Sequence, residues 1–220
     1  MPRVAVVIAT HRRPALLAEA LASVAAQTFR DVETVVVEDG GTEETARIVA
    51  ASGAPGVRHV PLAFCGRCGA VRNEALRRVS SPLVAFLDDD DLWSPDHLAR
   101  ARAALARAPE APFVHGAAIT TGERGEAPYQ ERDDGPFAGD LFASLLRRNF
   151  VATSSVVARA AAVRGAGGFR ADVSHGEDLG LWLELARKGP AAWVPEPTVA
   201  HREHGGNLSP HVVAKARDQA

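Results

Sequence analysis

An α/β fold built on a mostly parallel sheet is predicted for this chain of 220 residues. Short apolar runs alternate with segments of helical period along its first half, which is the pattern of βαβ units. The runs are unbroken rather than alternating, as in strands covered by helices on both faces. Acidic residues follow two of the runs directly, at Asp39 and at Asp88 to Asp91. Carboxyl ends of parallel strands are where open α/β sheets bind ligands.

Residues 3–9 read as a buried strand. Residues 14–27 form a helix with Pro14 in its first turn and an apolar face of Leu16, Leu17, Ala20, Leu21 and Val24. Residues 32–38 are a strand, and 42–51 a helix with Thr42 as N-cap. A short strand at 57–60 and a helix at 69–79 follow. Residues 83–87 form the strand that ends in four consecutive aspartates, and 95–107 the next helix. The second half is less regular. Strands are expected at 113–121, 153–158, 191–194 and 198–201, and helices at 140–146 and 177–188. The last is closed by Gly189-Pro190. Residues 122–136, polar with Gly and Pro, read as an exposed loop or irregular hairpin. The tail after Ser209 is a short helix or frayed.

Composition narrows the function. Hydrophobic residues make up 46% and charged residues 24%, an ordinary globular balance. A net charge of −2 gives no basic field for nucleic acid. No apolar run reaches the roughly 20 residues that span a bilayer, and the polar cluster Thr10-His11-Arg12-Arg13 interrupts any signal-peptide core. A cytoplasmic protein, free or peripheral to the membrane, is the expectation. Oligomeric state is not legible. The two cysteines, Cys65 and Cys68, form a C-x-x-C that lacks the second pair a zinc site needs, and they read as incidental loop residues.

The acidic run carries the chemistry. Four adjacent carboxylates repel one another and call for a cation or several hydrogen-bond donors. Hard oxygen donors suit Mg²⁺ or Mn²⁺, and Mg²⁺ commonly joins a few carboxylates to substrate phosphates. A helix cap would employ only one of the four. Asp39, at the end of another strand, is placed to accept from a base or ribose, or to make an Asp-Gly turn. Arg72 offers a bidentate donor for phosphate or base, or is simply a surface arginine. Gly167-Gly168 would let backbone approach a ligand. Asp178 opens the strongest helix, where the dipole favours its anion and suits a general base. There is no G-x-G-x-x-G and no Walker lysine motif.

Taken in order, these pieces resemble a family 2 glycosyltransferase of the GT-A fold, over nearly the whole chain. Val6-Val7-Ile8-Ala9-Thr10 with Arg13-Pro14 resembles the family's first strand and helix, and Val35-Val36-Val37-Glu38-Asp39-Gly40-Gly41 its "VVDDGS" segment. Arg72-Asn73 matches "ARN", and Phe86-Leu87-Asp88-Asp89-Asp90-Asp91 the D-x-D signature. Gly168-Phe169 with Glu177-Asp178 matches "GGF…ED", and His204-Gly205-Gly206-Asn207-Leu208-Ser209 the closing "H-x-G-N-x-S". His11-Arg12 stands where Tyr-Asn is common, Glu38 where a first aspartate is, and His201 where Tyr is frequent.

The resemblance implies a Rossmann-like GT-A sheet flanked by helices, with a smaller mixed acceptor-side region. It implies one domain over 1–220: a nucleotide-sugar-binding half at 1–110, an acceptor-side half at 111–210 and a tail at 211–220. It implies that Thr10, Asp39, Arg72, Asp88 and Asp89 hold the nucleotide, that Asp90 and His204 hold Mn²⁺ or Mg²⁺, and that Asp178 is the catalytic base. The implied reaction is an inverting transfer from a nucleotide-diphosphate sugar to a hydroxyl of a glycan, a lipid-linked glycan or a small molecule. A sugar-phosphate nucleotidyltransferase and an inactive nucleotide-sugar-binding module are the alternatives.

Overall fold

The computed structural model describes residues 3–123, 125–130, 136–205 and 207. In chain order the elements are β1 (Val4–Thr10), α1 (Pro14–Ala25), β2 (Val32–Asp39), α2 (Glu43–Ala51), β3 (Val57–Leu62), α3 (Cys68–Arg78), β4 (Leu83–Asp88) and β5 (Leu92–Trp93). Then come α4 (His97–Arg107), β6 (Phe113–Gly122), β7 (Gly125–Pro128), α5 (Phe142–Arg147), β8 (Val157–Arg159), α6 (Ala160–Gly165), α7 (Glu177–Ala186) and β9 (Ala192–Arg202). The strands form one nine-stranded sheet in the order β3-β2-β1-β4-β8-β6-β9-β5, with β7 paired to β6.

The first four strands in that order are parallel, and Val7 of β1 lies level with Val35 of β2 and Phe86 of β4. Their unbroken apolar sequences reflect burial on both faces. Along β1, Val4, Val6 and Ile8 join the cluster under α1 and α4, while Ala5 and Val7 join the one under α3 and α7. The register that puts Ala9 beside Asp88 brings the ends of β1 and β4 to one edge. Gln27, only 1% exposed, ties the helices of the first face together. Its Nε2 donates to Ser94 O at 2.7 Å and its Oε1 accepts from Leu98 N at 3.0 Å.

The second half departs from the sequence reading at two of its strands. The strand expected at 153–158 begins as a 3-10 turn, Thr153–Ser155, and only Val157–Arg159 pair, antiparallel to β4 and β6. Ser155 Oγ bonds back to Ala152 O at 2.7 Å, a local hydroxyl contact that competes with the ladder. The two strands expected at 191–194 and 198–201 are one strand, β9, whose register against β6 shifts between Gly116 and Ala118. Pro195 and Pro197 lie in that shift, where a missing N–H costs no ladder bond. Within the polar stretch 122–136, β7 forms a hairpin with β6. The helix α6 and the two-residue β5 have no counterpart in the sequence reading. The tail after Ser209 lies outside the described residues.

Candidate active site

The acidic run leaves β4 and turns, with Asp91 N–H donating to Asp88 O at 3.2 Å. Its members have different partners. Asp89 Oδ2 accepts from Thr10 Oγ1 at 2.6 Å, so the hydroxyl at the end of β1 is spent on the neighbouring strand. Arg13 Nη1 lies 3.2 Å from Asp89 Oδ1 and 2.8 Å from Asp90 Oδ2. Asp90 Oδ2 also meets His204 Nε2 at 3.2 Å. Burial pushes Asp88 up to about 7, against the pull of Arg72 and with the help of Asp91 and Asp90. Asp89 is also raised by burial, against its Thr10 hydrogen bond.

Arg72, buried at 6% exposure, bridges two elements. Its Nη2 donates to Asp88 Oδ1 at 2.6 Å and its Nη1 to Glu177 Oε1 at 2.7 Å, with Phe169 under the guanidinium at 5.2 Å. Asp178, next to Glu177 in the first turn of α7, is fixed through Oδ2 by Asn149 Nδ2 at 3.0 Å and Thr153 Oγ1 at 3.3 Å. Ser154, the next residue of that 3-10 turn, faces the acidic run instead. Its Oγ donates to Asp91 Oδ2 at 2.5 Å and accepts from Asp88 N at 3.1 Å. Two independent bridges thus join the start of α7 to the end of β4: the Arg72 guanidinium and the Thr153-Ser154 turn.

Asp91 is only 1% exposed and works inside the fold. Besides Ser154 it accepts from Arg202 N at 3.1 Å, and its Oδ1 pairs with His201 Nδ1 at 3.2 Å. It fixes the end of β9, the strand that leads to His204. Arg202 Nε donates to Asp90 O as well. His201, at a position where the family often has Tyr, is therefore a partner of the acidic run.

Asp39 accepts from Cys65 N at 2.6 Å and Gly66 N at 2.7 Å, pinning the loop before α3 across the end of β2. His11 Nδ1 meets Asp39 O at 2.5 Å and its ring lies 4.9 Å from that of Phe64, which is 66% exposed. Both cysteines are free. Burial pushes the Cys68 thiol up to about 12, so it stays protonated and neither ligates nor exchanges readily. Glu38 turns away from the edge to serve α2, so its replacement of an aspartate does not touch the site directly.

The glycines read as ligand-approach points have another use. Gly168 is left-handed, at φ +77°, and a Cβ there would come within 2.5 Å of Asn73 Oδ1. Asn73 clamps the next residue in both directions, accepting from Phe169 N at 2.8 Å and donating to Phe169 O at 2.7 Å. Arg72-Asn73 and Gly168-Phe169, distant in sequence, are one structural unit. Sequence reasoning missed Arg13, Asn149, Thr153, Ser154 and the bridging role of Glu177. Asn149, Thr153 and Ser154 sit in no motif, and Arg13 and Glu177 sit in motif segments with no role of their own there; each contacts a residue remote along the chain.

The donor set suits a divalent cation that arrives with a phosphate ligand. Among the described residues no group of three or more His, Cys, Asp and Glu is arranged to hold a metal ion. Asp90 and His204 converge as one carboxylate and one imidazole, with Arg13 on the same Asp90 oxygen; Mg²⁺-type sites take one or two carboxylates and complete their shell with substrate oxygens and water.

This architecture, a mostly parallel sheet with an acidic run at the carboxyl end of its central strand, is the GT-A fold of nucleotide-sugar-dependent transferases. The chain belongs to glycosyl transferase family 2, whose sequence profile matches residues 5–163. Among named relatives, it is 36% identical over 112 residues to the succinoglycan biosynthesis protein ExoW of Rhizobium meliloti, covering 49% of this chain and 35% of that protein. It is 36% identical over 120 residues to a validoxylamine A glucosyltransferase of Streptomyces hygroscopicus subsp. jinggangensis, covering 53% and 28%. The chain thus spans about a third of the length of these relatives. In structure it is similar to S. aureus TarS 1-349 in complex with UDP-GlcNAc, with a TM-score of 0.78 at 20% identity over 93% of this chain and 60% of that one. It is also similar to the Pyrobaculum calidifontis mannosyltransferase PcManGT in complex with GDP-Man and Mn²⁺, with a TM-score of 0.67 at 22% identity over 99% and 61%. Among the described residues no helix is long and apolar enough to cross a membrane.

Proposed function

We propose that this chain is the catalytic unit of an inverting glycosyltransferase. It moves a sugar from a nucleotide-diphosphate donor to a hydroxyl acceptor, in the assembly of a polysaccharide or glycoconjugate. One observation carries the reading: adjacent residues of a single turn, Thr153 and Ser154, hold Asp178 on one side and the acidic run on the other. An inverting displacement needs a carboxylate where the acceptor attacks and positive charge where the diphosphate leaves. The family, the ExoW relative and the nucleotide-sugar complexes of the structural neighbours support the same assignment.

In this reading Asp178 takes the proton from the acceptor hydroxyl as its oxygen attacks the anomeric carbon. Asn149 and Thr153 aim the carboxylate, and the Glu177–Arg72–Asp88 bridge keeps α7 in register with the donor site. Asp90 and His204 would hold Mn²⁺ or Mg²⁺ against the diphosphate; the cation supplies charge stabilisation for the departing nucleoside diphosphate. Thr10 and Arg13 set the rotamers of Asp89 and Asp90, Arg72 sets that of Asp88, and Asp39 shapes the base-side loop. The domain is read as a nucleotide-sugar-binding half at 1–110 and an acceptor-side half at 111–210.

A thermal-shift titration with UDP, GDP, dTDP and CDP, each with and without Mn²⁺, tests the reading. A ligand at 100 times its Kd stabilises the fold by about 2.7 kcal/mol. Stabilisation by one nucleotide, dependent on metal, is the expected result and names the base of the donor. No shift with any nucleotide would remove the donor site and favour an inactive module.

A further inference from the structure

Three arginines reach the acidic run, and their situations differ. Arg72 is held on both sides, by Asp88 and by Glu177, with 7% of its side chain exposed. Arg202 donates to the main chain of Asp90 and pairs with Glu19. Arg13 meets two carboxylates of the run through one nitrogen. Its Nη1 lies 3.2 Å from Asp89 Oδ1 and 2.8 Å from Asp90 Oδ2, and 27% of its side chain stays exposed. It stands at the N-cap position of α1 without a capping bond from its side chain, so the guanidinium is not what starts that helix.

The partners of Arg13 divide the run. Asp89 is engaged on both oxygens, by the Thr10 hydroxyl at 2.6 Å and by Arg13. Asp90 Oδ2 faces Arg13 Nη1 and His204 Nε2, the latter at 3.2 Å. A divalent cation entering at Asp90 and His204 therefore comes up against a guanidinium that already shares the carboxylate oxygen. Asp89, Asp90 and Arg13 together carry one net negative charge, half of what such a cation requires. Like charges that close repel, so the guanidinium opposes a cation that comes without further anions. A diphosphate reverses the balance. It brings the missing negative charge, and its oxygens suit an arginine fork.

We infer that Arg13 binds the diphosphate of the donor and, by its charge, makes cation binding at Asp90 depend on that diphosphate. The inference rests on the transfer reading above and deepens it. There Arg13 only orients Asp89 and Asp90; here its charge takes part. The two roles predict opposite signs. Loss of a residue that merely orients Asp90 weakens the cation, whereas loss of an opposing charge tightens it.

The test reads binding, not turnover. Mn²⁺ binding is followed by the EPR signal of the unbound ion, and UDP and GDP binding by calorimetry at saturating Mn²⁺, on the native chain, Arg13→Gln and Arg13→Lys. Without nucleotide, Arg13→Gln is expected to bind Mn²⁺ roughly 3- to 10-fold more tightly than the native chain, the worth of one like charge at close range. For whichever nucleoside diphosphate the native chain binds, the same variant should bind it roughly 3- to 10-fold more weakly. Arg13→Lys keeps the charge and should lie nearer the native chain in both. Mn²⁺ bound no more tightly by Arg13→Gln, nucleotide bound no more weakly, or a lysine variant that matches the glutamine one overturns the inference and leaves the transfer reading intact. The native chain supplies a check that needs no variant: its nucleotide should tighten Mn²⁺ at least about 5-fold, and an unchanged Mn²⁺ affinity overturns the inference. A native chain that binds no nucleotide at all overturns the transfer reading, and the inference with it.

Discussion

Asp178 sits among donors that fix it without neutralising it: an amide from Asn149, a hydroxyl from Thr153 and the backbone N–H of Leu179. All are uncharged, so they orient the carboxylate without pairing it to a fixed cation. Replacing it by Asn keeps the shape and removes the basicity. Asp178→Asn is expected to lower the transfer rate by roughly 10²- to 10⁴-fold, the usual worth of a positioned general base. Nucleotide binding and the melting midpoint should stay close to those of the native chain. Steady-state transfer measured beside a nucleotide titration checks this, and full turnover in the variant would remove Asp178 from the mechanism. The neighbouring Glu177 acts differently, because its charge is already committed to Arg72.

At the level of elements, an acidic residue of β2 serves the start of α2. Glu38 is fully buried, and its carboxylate accepts from Thr42 N at 2.9 Å, Thr42 Oγ1 at 3.0 Å and Thr45 Oγ1 at 2.7 Å, with His59 Nε2 at 3.0 Å. Burial alone would raise this carboxyl, but the Thr42, Thr45 and His59 contacts outweigh it and hold the group below its ordinary value. The start of α2 is therefore built on a side chain from β2, with Thr42 as N-cap. Glu38→Ala is expected to destabilise the fold by roughly 2–4 kcal/mol, since it strands several buried donors. Urea melts check this, and nucleotide affinity of the folded variant should be unchanged. The first-half elements β1 to α4 were legible because burial on both faces writes continuous apolar runs, and helices between them write a 3.6 period. The acidic edge was legible for the same reason, as polar residues stand out after such runs. In the second half the strand at 113–121 and the helix at 177–188 were legible too, but β8 and β9 were not, because β8 is three residues long behind the Thr153–Ser155 turn and β9 is interrupted by Pro195 and Pro197. The residues that aim Asp178 come from that half, and their side chains act through tertiary contacts that leave no local period.

At the scale of the whole molecule, protonation couples the core to the site. His97 and His115 are buried at 1% and 0% exposure, and burial pushes them down to about 3 and about 4. Both are neutral in the fold near pH 5 and protonated in the unfolded chain, whose histidines titrate near 6.5. The unfolded state thus binds more protons over that range, and stability falls as pH drops below 6.5. Each histidine contributes roughly 1 kcal/mol per pH unit until its own folded value is reached. Asp88 acts in the opposite sense. Raised to about 7 by burial, it binds a proton in the fold that the unfolded chain has released above 3.8, and so costs stability as pH rises between those values. Asp89, raised in the same direction by burial, adds to that opposing contribution, so a histidine's share is read from the difference a variant makes. His115 donates through Nε2–H to Phe137 O, 2.7 Å away, so glutamine can keep a donor there without titrating. Urea unfolding at pH 5 and at pH 6.5 should show His115→Gln losing roughly 1 kcal/mol less stability than the native chain for each unit of the descent. A variant with the undiminished slope would mean that His115 is not the group that titrates.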